Sequence, residues 1–217
     1  MKLGAIYSKE KTTFTLFSPV ADSVFVIFYD KGNDSAETGR LEMVRGEGEL
    51  RSIFSATAEG NLNGVYYTYE VHTPDGTFSS HDPYARACGV NGHRSMVIDL
   101  SKTDPDGFAD EDRPKLADPM SMVITEVSIA DVSADASAHS RYPGKFKAFT
   151  EDKILSYFKD MGVTHLQLMP SYDFASIDES DSLKEQYNWG YDPYNYNVPE
   201  GVLLVQIRFN GAVRVRE

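Results

Sequence analysis

The first hundred residues alternate apolar and polar positions with period two, and turn-forming residues break the alternation at short intervals. Thr13-Phe14-Thr15-Leu16-Phe17 alternates and stops at Ser18-Pro19. Val24-Phe25-Val26-Ile27-Phe28-Tyr29 is β-branched and aromatic, then breaks at Asp30-Lys31-Gly32-Asn33-Asp34. Leu41 to Val44 and Leu50 to Phe54 read as short strands around the turn-prone Gly46-Glu47-Gly48. In Val65 to Val71 the pattern predicts Val65, Tyr67, Tyr69 and Val71 facing a core, with Tyr66, Thr68, Glu70 and His72 facing out. Pro74-Asp75-Gly76 is a hairpin turn signal. Short strands at this spacing predict a β-sandwich over residues 1–100.

Residues 101–120 change character. They are rich in Asp, Pro and Lys and read as a solvated linker containing the domain boundary. Their paired acids lack the regular spacing of a calcium loop. Beyond them, over residues 121–217, the period changes again. Met122 to Ile129 is a near-continuous apolar run, the pattern of a strand buried on both faces. Thr150-Glu151-Asp152 reads as a helix start, with Thr150 capping. Ile154, Leu155, Phe158 and Met161 then recur at helical spacing up to Gly162, placed as a C′ glycine. Val163 to Met169 is the next strand, stopped by Pro170. Strand, helix, strand in that order predicts parallel strands with a right-handed crossover.

Composition sets limits. The chain has 217 residues, 41% hydrophobic and 25% charged, which supports a packed core. A net charge of −12 argues against an electrostatic hold on nucleic acid or anionic membrane, but not against a neutral polymer. No stretch approaches the ~20 apolar residues of a membrane span, and Met1-Lys2-Leu3-Gly4-Ala5 carries no apolar leader segment, so a cytoplasmic location is expected. Cys88 is the only cysteine and reads as a packed thiol. There is no glycine-rich phosphate loop, and the five histidines do not fall at ligand spacing, so no metal or cofactor is expected.

The densest chemistry lies in Tyr187-Asn188-Trp189-Gly190-Tyr191-Asp192-Pro193, which holds the only tryptophan and is followed by Tyr194-Asn195-Tyr196-Asn197. Flat rings beside amides and a carboxylate suit a sugar, whose faces stack and whose hydroxyls bond. The same composition also fits an aromatic loop that caps a core, with Trp189 as its buried anchor.

The heptapeptide resembles the signature of type I pullulanases, the α-1,6-debranching enzymes of glycoside hydrolase family 13. Three further segments resemble the family in order: Leu3-Gly4-Ala5 with Lys9 to Phe14, His81-Asp82-Pro83-Tyr84-Ala85 with Gly89-Val90-Asn91-Gly92, and Leu166 to Glu179. The resemblance implies an immunoglobulin-like β-sandwich of the family 48 carbohydrate-binding type. After it would come an incomplete (β/α)8 TIM barrel, of which this chain holds the first two β/α units. It places Pro170 to Gly201 on the catalytic face. It implies that Tyr191 stacks beneath the glucose beside the scissile bond, that Asp192 fixes the loop, and that Asn188 and Trp189 shape the same wall. Where the resemblance puts a sandwich tryptophan this chain has Phe17, so Tyr66 and Tyr29 are the exposed-platform candidates there.

Two departures matter. The family's Tyr-Glu-x-His-x-Arg-Asp-Phe-Ser run reads Thr125 to Ser133 here, keeping Glu126, Asp131 and Ser133. Glu126 and Asp131 are a tempting carboxylate pair, but the resemblance gives them a structural role, since the family's catalytic acids lie on later strands. None of those acids falls within 1–217, so no catalytic residue is assigned and the chain alone is expected to be inactive. Val202 to Phe209 is apolar where the family is polar. Read literally, it forms a hairpin with Ala212 to Arg216 through Asn210-Gly211. The reading adopted is a short compensated frameshift in the coding sequence, which a clean in-frame gene sequence would exclude.

Three readings follow. One is the N-terminal part of a debranching enzyme whose partner is an α-glucan. Another is a non-catalytic glucan-binding module with a vestigial barrel extension. The last is an interaction protein that self-associates through exposed sheet edges.

Overall fold

The computed structural model describes residues 1–110, 115–116, 118–181 and 186–204. Its first part contains β1 (Gly4–Tyr7), β2 (Lys11–Phe17), β3 (Ser23–Tyr29), β4 (Glu37–Glu42), β5 (Val44–Arg45), β6 (Ile53–Glu59), β7 (Tyr66–Thr73), β8 (Gly76–Ser80) and β9 (Ser95–Met96). They form two antiparallel sheets. One has the order β1-β2-β6-β5. The other has the order β4-β3-β7-β8, with β9 also paired to β7. Phe14, Leu16 and Phe54 of the first sheet meet Val24, Val26, Tyr67 and Tyr69 of the second in one buried cluster. Each such side chain contributes about 1.5–3 kcal/mol by leaving water. The predicted sandwich is therefore present. The strand predicted from Leu50 starts instead at Ile53, because Gly48–Leu50 is taken up in a 3-10 turn.

Both faces of β7 are buried at its start, which corrects the expectation that Tyr66 and Thr68 face out. Tyr66 is 2% exposed and packs with Ala87 and Met96, from the segment that leaves the sandwich and folds back over that face. Thr68 is buried too, and the Tyr29 hydroxyl lies 3.1 Å from its oxygen. The Tyr29 ring carries the Arg94 guanidinium 3.7 Å from its centre. Neither tyrosine offers an open platform. Period two predicts which side a residue faces, not whether a later segment will cover that side.

The second part contains β10 (Ile124–Val127), α1 (Ile129–Ala134), α2 (Asp152–Asp160), β11 (His165–Leu168), β12 (Tyr172–Phe174) and β13 (Pro193–Pro199). β10 and β11 pair in parallel, as the strand-helix-strand order predicts. Three local expectations are corrected. The apolar run stops being a strand at Val127, because Ser128 accepts the Asp131 amide and opens α1 at Ile129. It is not buried on both faces either, since Met122, Val123 and Ile124 are exposed. Finally, Glu151 rather than Thr150 caps α2 and makes no side-chain bond there, while the Thr150 hydroxyl turns back to the Lys147 carbonyl. The C-terminal reading of α2 holds. Gly162 has φ +74°, its amide bonds the Lys159 carbonyl, and the Val163 amide bonds Phe158, which is a Schellman closure. No helix among the described residues is long and apolar enough to cross a membrane.

The stretch 170–201, expected as loop, contains an antiparallel hairpin of β12 and β13. Of the literal tail hairpin, Gly201–Leu203 is instead a 3-10 turn with Leu203 and Leu204 buried, and residues 205–217 lie outside the described residues.

Candidate functional site

The heptapeptide bends at Gly190, which has φ +87°. A Cβ at this position would overlap the Pro170 carbonyl and crowd the Phe174 ring. Only glycine lets the backbone approach so closely with this dihedral. Asn188 fixes the bend from inside. Its carbonyl oxygen accepts the Gly190 amide at 2.6 Å, and its NH2 donates to Ser176 Oγ at 2.7 Å and to Asp192 Oδ1 at 2.8 Å. The Ala175 amide bonds the Asp192 carbonyl at 2.9 Å. Burial pushes the Asp192 carboxyl up, but the bonds from Ser176 and Asn188 outweigh it and hold it below the usual carboxylate range. Beneath the loop Ile129, Phe174, Ile177 and Leu203 form a second buried cluster.

With its polar groups turned inward, the loop pushes its rings outward. Tyr187 and Tyr191 are each 61% exposed and Trp189 is 59% exposed. Together with Ser176, Asn188 and Asp192 they line an open groove of about 580 Å³. Of the two readings the sequence left open for Trp189, the buried anchor is excluded. Tyr191 donates its hydroxyl to Glu126 Oε1 at 2.8 Å, and Tyr187 donates to Asp131 Oδ2 at 2.7 Å. These bonds raise both phenols above their ordinary range, because each carboxylate acceptor disfavours the phenolate. The groove can therefore present ring faces to a flat apolar surface and amide and carboxylate edges to hydroxyls. The structure brings Asn188, Trp189, Tyr191 and Asp192 together. Tyr66 and Tyr29 lie in the sandwich and do not join them.

A seam that the sequence did not reveal joins the sandwich exit to the β12–β13 hairpin. Asn91 and Glu179 bond reciprocally, the Asn91 amide to Glu179 Oε2 at 2.6 Å and the Glu179 amide to Asn91 Oδ1 at 2.7 Å. Asn195 donates to Asp173 Oδ2 at 2.7 Å and to the Gly92 carbonyl at 3.2 Å. Cys88 points its thiol at Asp173 and packs with Val198. Tyr194 sits against His81, their ring centres 4.3 Å apart.

Within the seam Asp173, Glu179 and Glu200 are buried, with carboxylate oxygens within 4.8 Å of one another. Among the described residues this is the one group of three spaced closely enough to share a cation. Backbone amides of Phe174 and Val202 occupy both oxygens of Glu200. Burial, reinforced by Glu179 and Asp173, pushes its carboxyl up to about 8. The signal for this cluster was available in Glu179 and in the Pro199-Glu200-Gly201 turn, but acids eighty residues from the sandwich do not announce burial.

Residues 2–85 match the family model of carbohydrate-binding module 48, the isoamylase N-terminal domain. The pullulanase of Bacillus subtilis (strain 168) is 31% identical over 210 residues, covering 92% of this chain and 28% of that protein. The crystal structure of pullulanase from Paenibacillus barengoltzii in complex with maltohexaose and alpha-cyclodextrin superposes with a TM-score of 0.91 at 36% identity. That match covers 98% of this chain and 34% of the other. Pullulanase from Anoxybacillus sp. LM18-11 complexed with maltotriose gives a TM-score of 0.86 at 31% identity, covering 98% and 30%. The chain thus spans about a third or less of these relatives. Over nearly its whole length it is similar to the N-terminal region of pullulanases, opening with a carbohydrate-binding module 48 domain, as its four motif segments imply.

Proposed function

We propose that the groove of Tyr187, Trp189 and Tyr191 binds an α-glucan. In this reading residues 121–204 supply one wall of the substrate cleft of a debranching enzyme that hydrolyses α-1,6 branch bonds. The observation that carries the reading is the pairing of three exposed rings with an inward-bonded Asn188 and Asp192. A loop that merely capped a core would bury its tryptophan and leave its amides in water. The sugar ligands named for the Paenibacillus and Anoxybacillus pullulanases support the same class of ligand.

The parallel β10–β11 pair with its intervening helices supports the first two β/α units of a (β/α)8 barrel. Hydrolysis would require carboxylates supplied by further strands. In that reaction one would form and then release a glycosyl intermediate while a second acts as acid and then base. The role left to this chain is to hold and orient the sugar. The sandwich then acts mainly as a packing partner, since its two candidate platforms are covered.

The test is maltotriose and pullulan binding by the 217-residue chain. Trp189, the only tryptophan, serves as the fluorescent reporter. Tyr191→Ala is expected to lower affinity about tenfold or more, as loss of a stacking ring does. Unchanged affinity in Tyr191→Ala, or no binding by the parent chain, would remove the basis of this reading.

A further inference from the structure

Aromatic rings that are three-fifths exposed make a poor platform unless something fixes them. A phenol in water turns about two torsions, and the entropy of stopping it is charged against any ligand that stacks on it. In this groove both phenols are stopped in advance. The Tyr191 hydroxyl is bonded to Glu126 and the Tyr187 hydroxyl to Asp131, across 65 and 56 residues of chain respectively. Each bond grips the ring at the end farthest from its Cβ, where one contact restrains both torsions. Each has a carboxylate as acceptor, and charge-assisted O–H···O bonds are the strong ones.

The acceptors sit on regular structure. Glu126 is in β10, and Asp131 lies in the first turn of α1, where its own amide is held by the Ser128 cap. One six-residue segment therefore holds the rings on both sides of Trp189.

We propose that Glu126 and Asp131 are positioning residues of the glucan groove, pre-setting the Tyr191 and Tyr187 rings for stacking. This rests on the glucan reading given above and deepens it by assigning a task to the two strand-one acids. It also explains how these acids remain useful without touching sugar. A carboxylate is the fitting acceptor because a phenol has only one proton to give and a carboxylate oxygen takes it without offering one in return.

The experiment uses the full chain and two readouts. The first is maltotriose affinity from Trp189 fluorescence. Glu126→Ala is expected to weaken binding about three- to tenfold, the worth of one such hydrogen bond, and Glu126→Gln to restore it because the amide oxygen still accepts. Tyr191→Phe is expected to match Glu126→Ala, and the double variant to lose no more than either single one. Parental affinity in Glu126→Ala, failure of Glu126→Gln to rescue, or an additive double variant would overturn the proposal.

The second readout needs no sugar. A 3-fluorotyrosine placed at position 191 is expected to give a single shifted 19F resonance that averages toward the solvent value in Glu126→Ala. An identical resonance in both proteins would overturn the proposal even if the parent binds glucan. A parent that binds no sugar but shows the shift would instead refute the glucan reading and leave the ring restraint standing. Asp131→Ala and Asp131→Asn test Tyr187 in the same way.

Discussion

Gly190 has its φ at +87° and its α-carbon against the Pro170 carbonyl, so any side chain there would force the loop off Phe174. Gly190→Ala should cost about 3 kcal/mol, combining left-handed strain with a backbone clash, and should abolish maltotriose quenching of Trp189. Urea unfolding and the fluorescence titration check the two parts. Asp82 is a different kind of residue. It is fully buried, and its Oδ2 accepts the Tyr67 and Tyr69 hydroxyls at 2.7 and 3.2 Å, while Oδ1 accepts the Tyr84 amide. Burial pushes its carboxyl up despite those bonds. A carboxyl with a raised folded value adds stability below its unfolded value, about 3.9, and that stability is lost as pH rises through the folded value. Asp82→Asn removes this one titration, so its stability relative to the parent should improve from pH 4 toward neutrality. A flat difference between the two melting curves would refute the point. The sequence singled out both residues, Gly190 through its heptapeptide and Asp82 through the exit motif. It could not show the acid among tyrosine hydroxyls, because that contact depends on β7 and the exit segment meeting.

Among the elements, the body and C-terminal end of α2 were legible, though its cap was not. Four apolar positions at helical spacing and a glycine after them are a local code, and the Schellman closure obeys it. Gly162→Ala should cost about 1 kcal/mol through its positive φ, read as a lowered melting temperature. Ser128→Ala should cost a similar ~1 kcal/mol by releasing the Asp131 amide. It should also loosen Tyr187, since Asp131 would no longer be held at the helix start. The hairpin of β12 and β13 was not legible. Its second strand reads Pro-Tyr-Asn-Tyr-Asn-Val-Pro, with only Asn195 and Val198 buried. A strand fixed by an asparagine that bonds Asp173 and Gly92 has no apolar period to reveal it. The start of α1 was missed for a related reason. Val127, Ile129 and their neighbours are strand formers, and a single serine hydroxyl decides where the strand stops.

On the scale of the whole molecule, two surfaces govern behaviour. The seam ties residues near 90 to residues near 180 and 195, with Asn91 at φ +57° making bonds in both directions. Asn91→Ala should cost about 2–4 kcal/mol, from the lost bonds and the strained dihedral, and should make the hairpin cleavable by protease under conditions where the sandwich resists. The other surface is β10–β11, where Ile124 is 57% exposed and each strand has one strand neighbour among the described residues. Apolar edges of this kind pair with whatever they meet. The isolated chain should therefore associate with rising concentration, and Ile124→Lys should lower its sedimentation coefficient at high loading. Exposed sheet edges were expected from the sequence, because the resemblance gave this chain only the first strands of a closed barrel. Which residues formed the seam depended on contacts spanning about half the chain, and no local pattern encodes those.

The seam also sets a clock during synthesis. Asn195 reaches Gly92 across 103 positions, so at roughly 5–20 residues per second the sandwich waits about 5–20 s on the ribosome before its covering hairpin emerges. Cys88 is wholly buried in the finished fold against Val198 and Asp173, both of which emerge late, so through that interval it is expected to be open to solvent. A thiol reagent pulsed over ribosome-bound chains should label this position in short nascent chains and cease to label it once residue 200 has cleared the exit tunnel. The lone cysteine thereby reports when the two halves of the molecule meet.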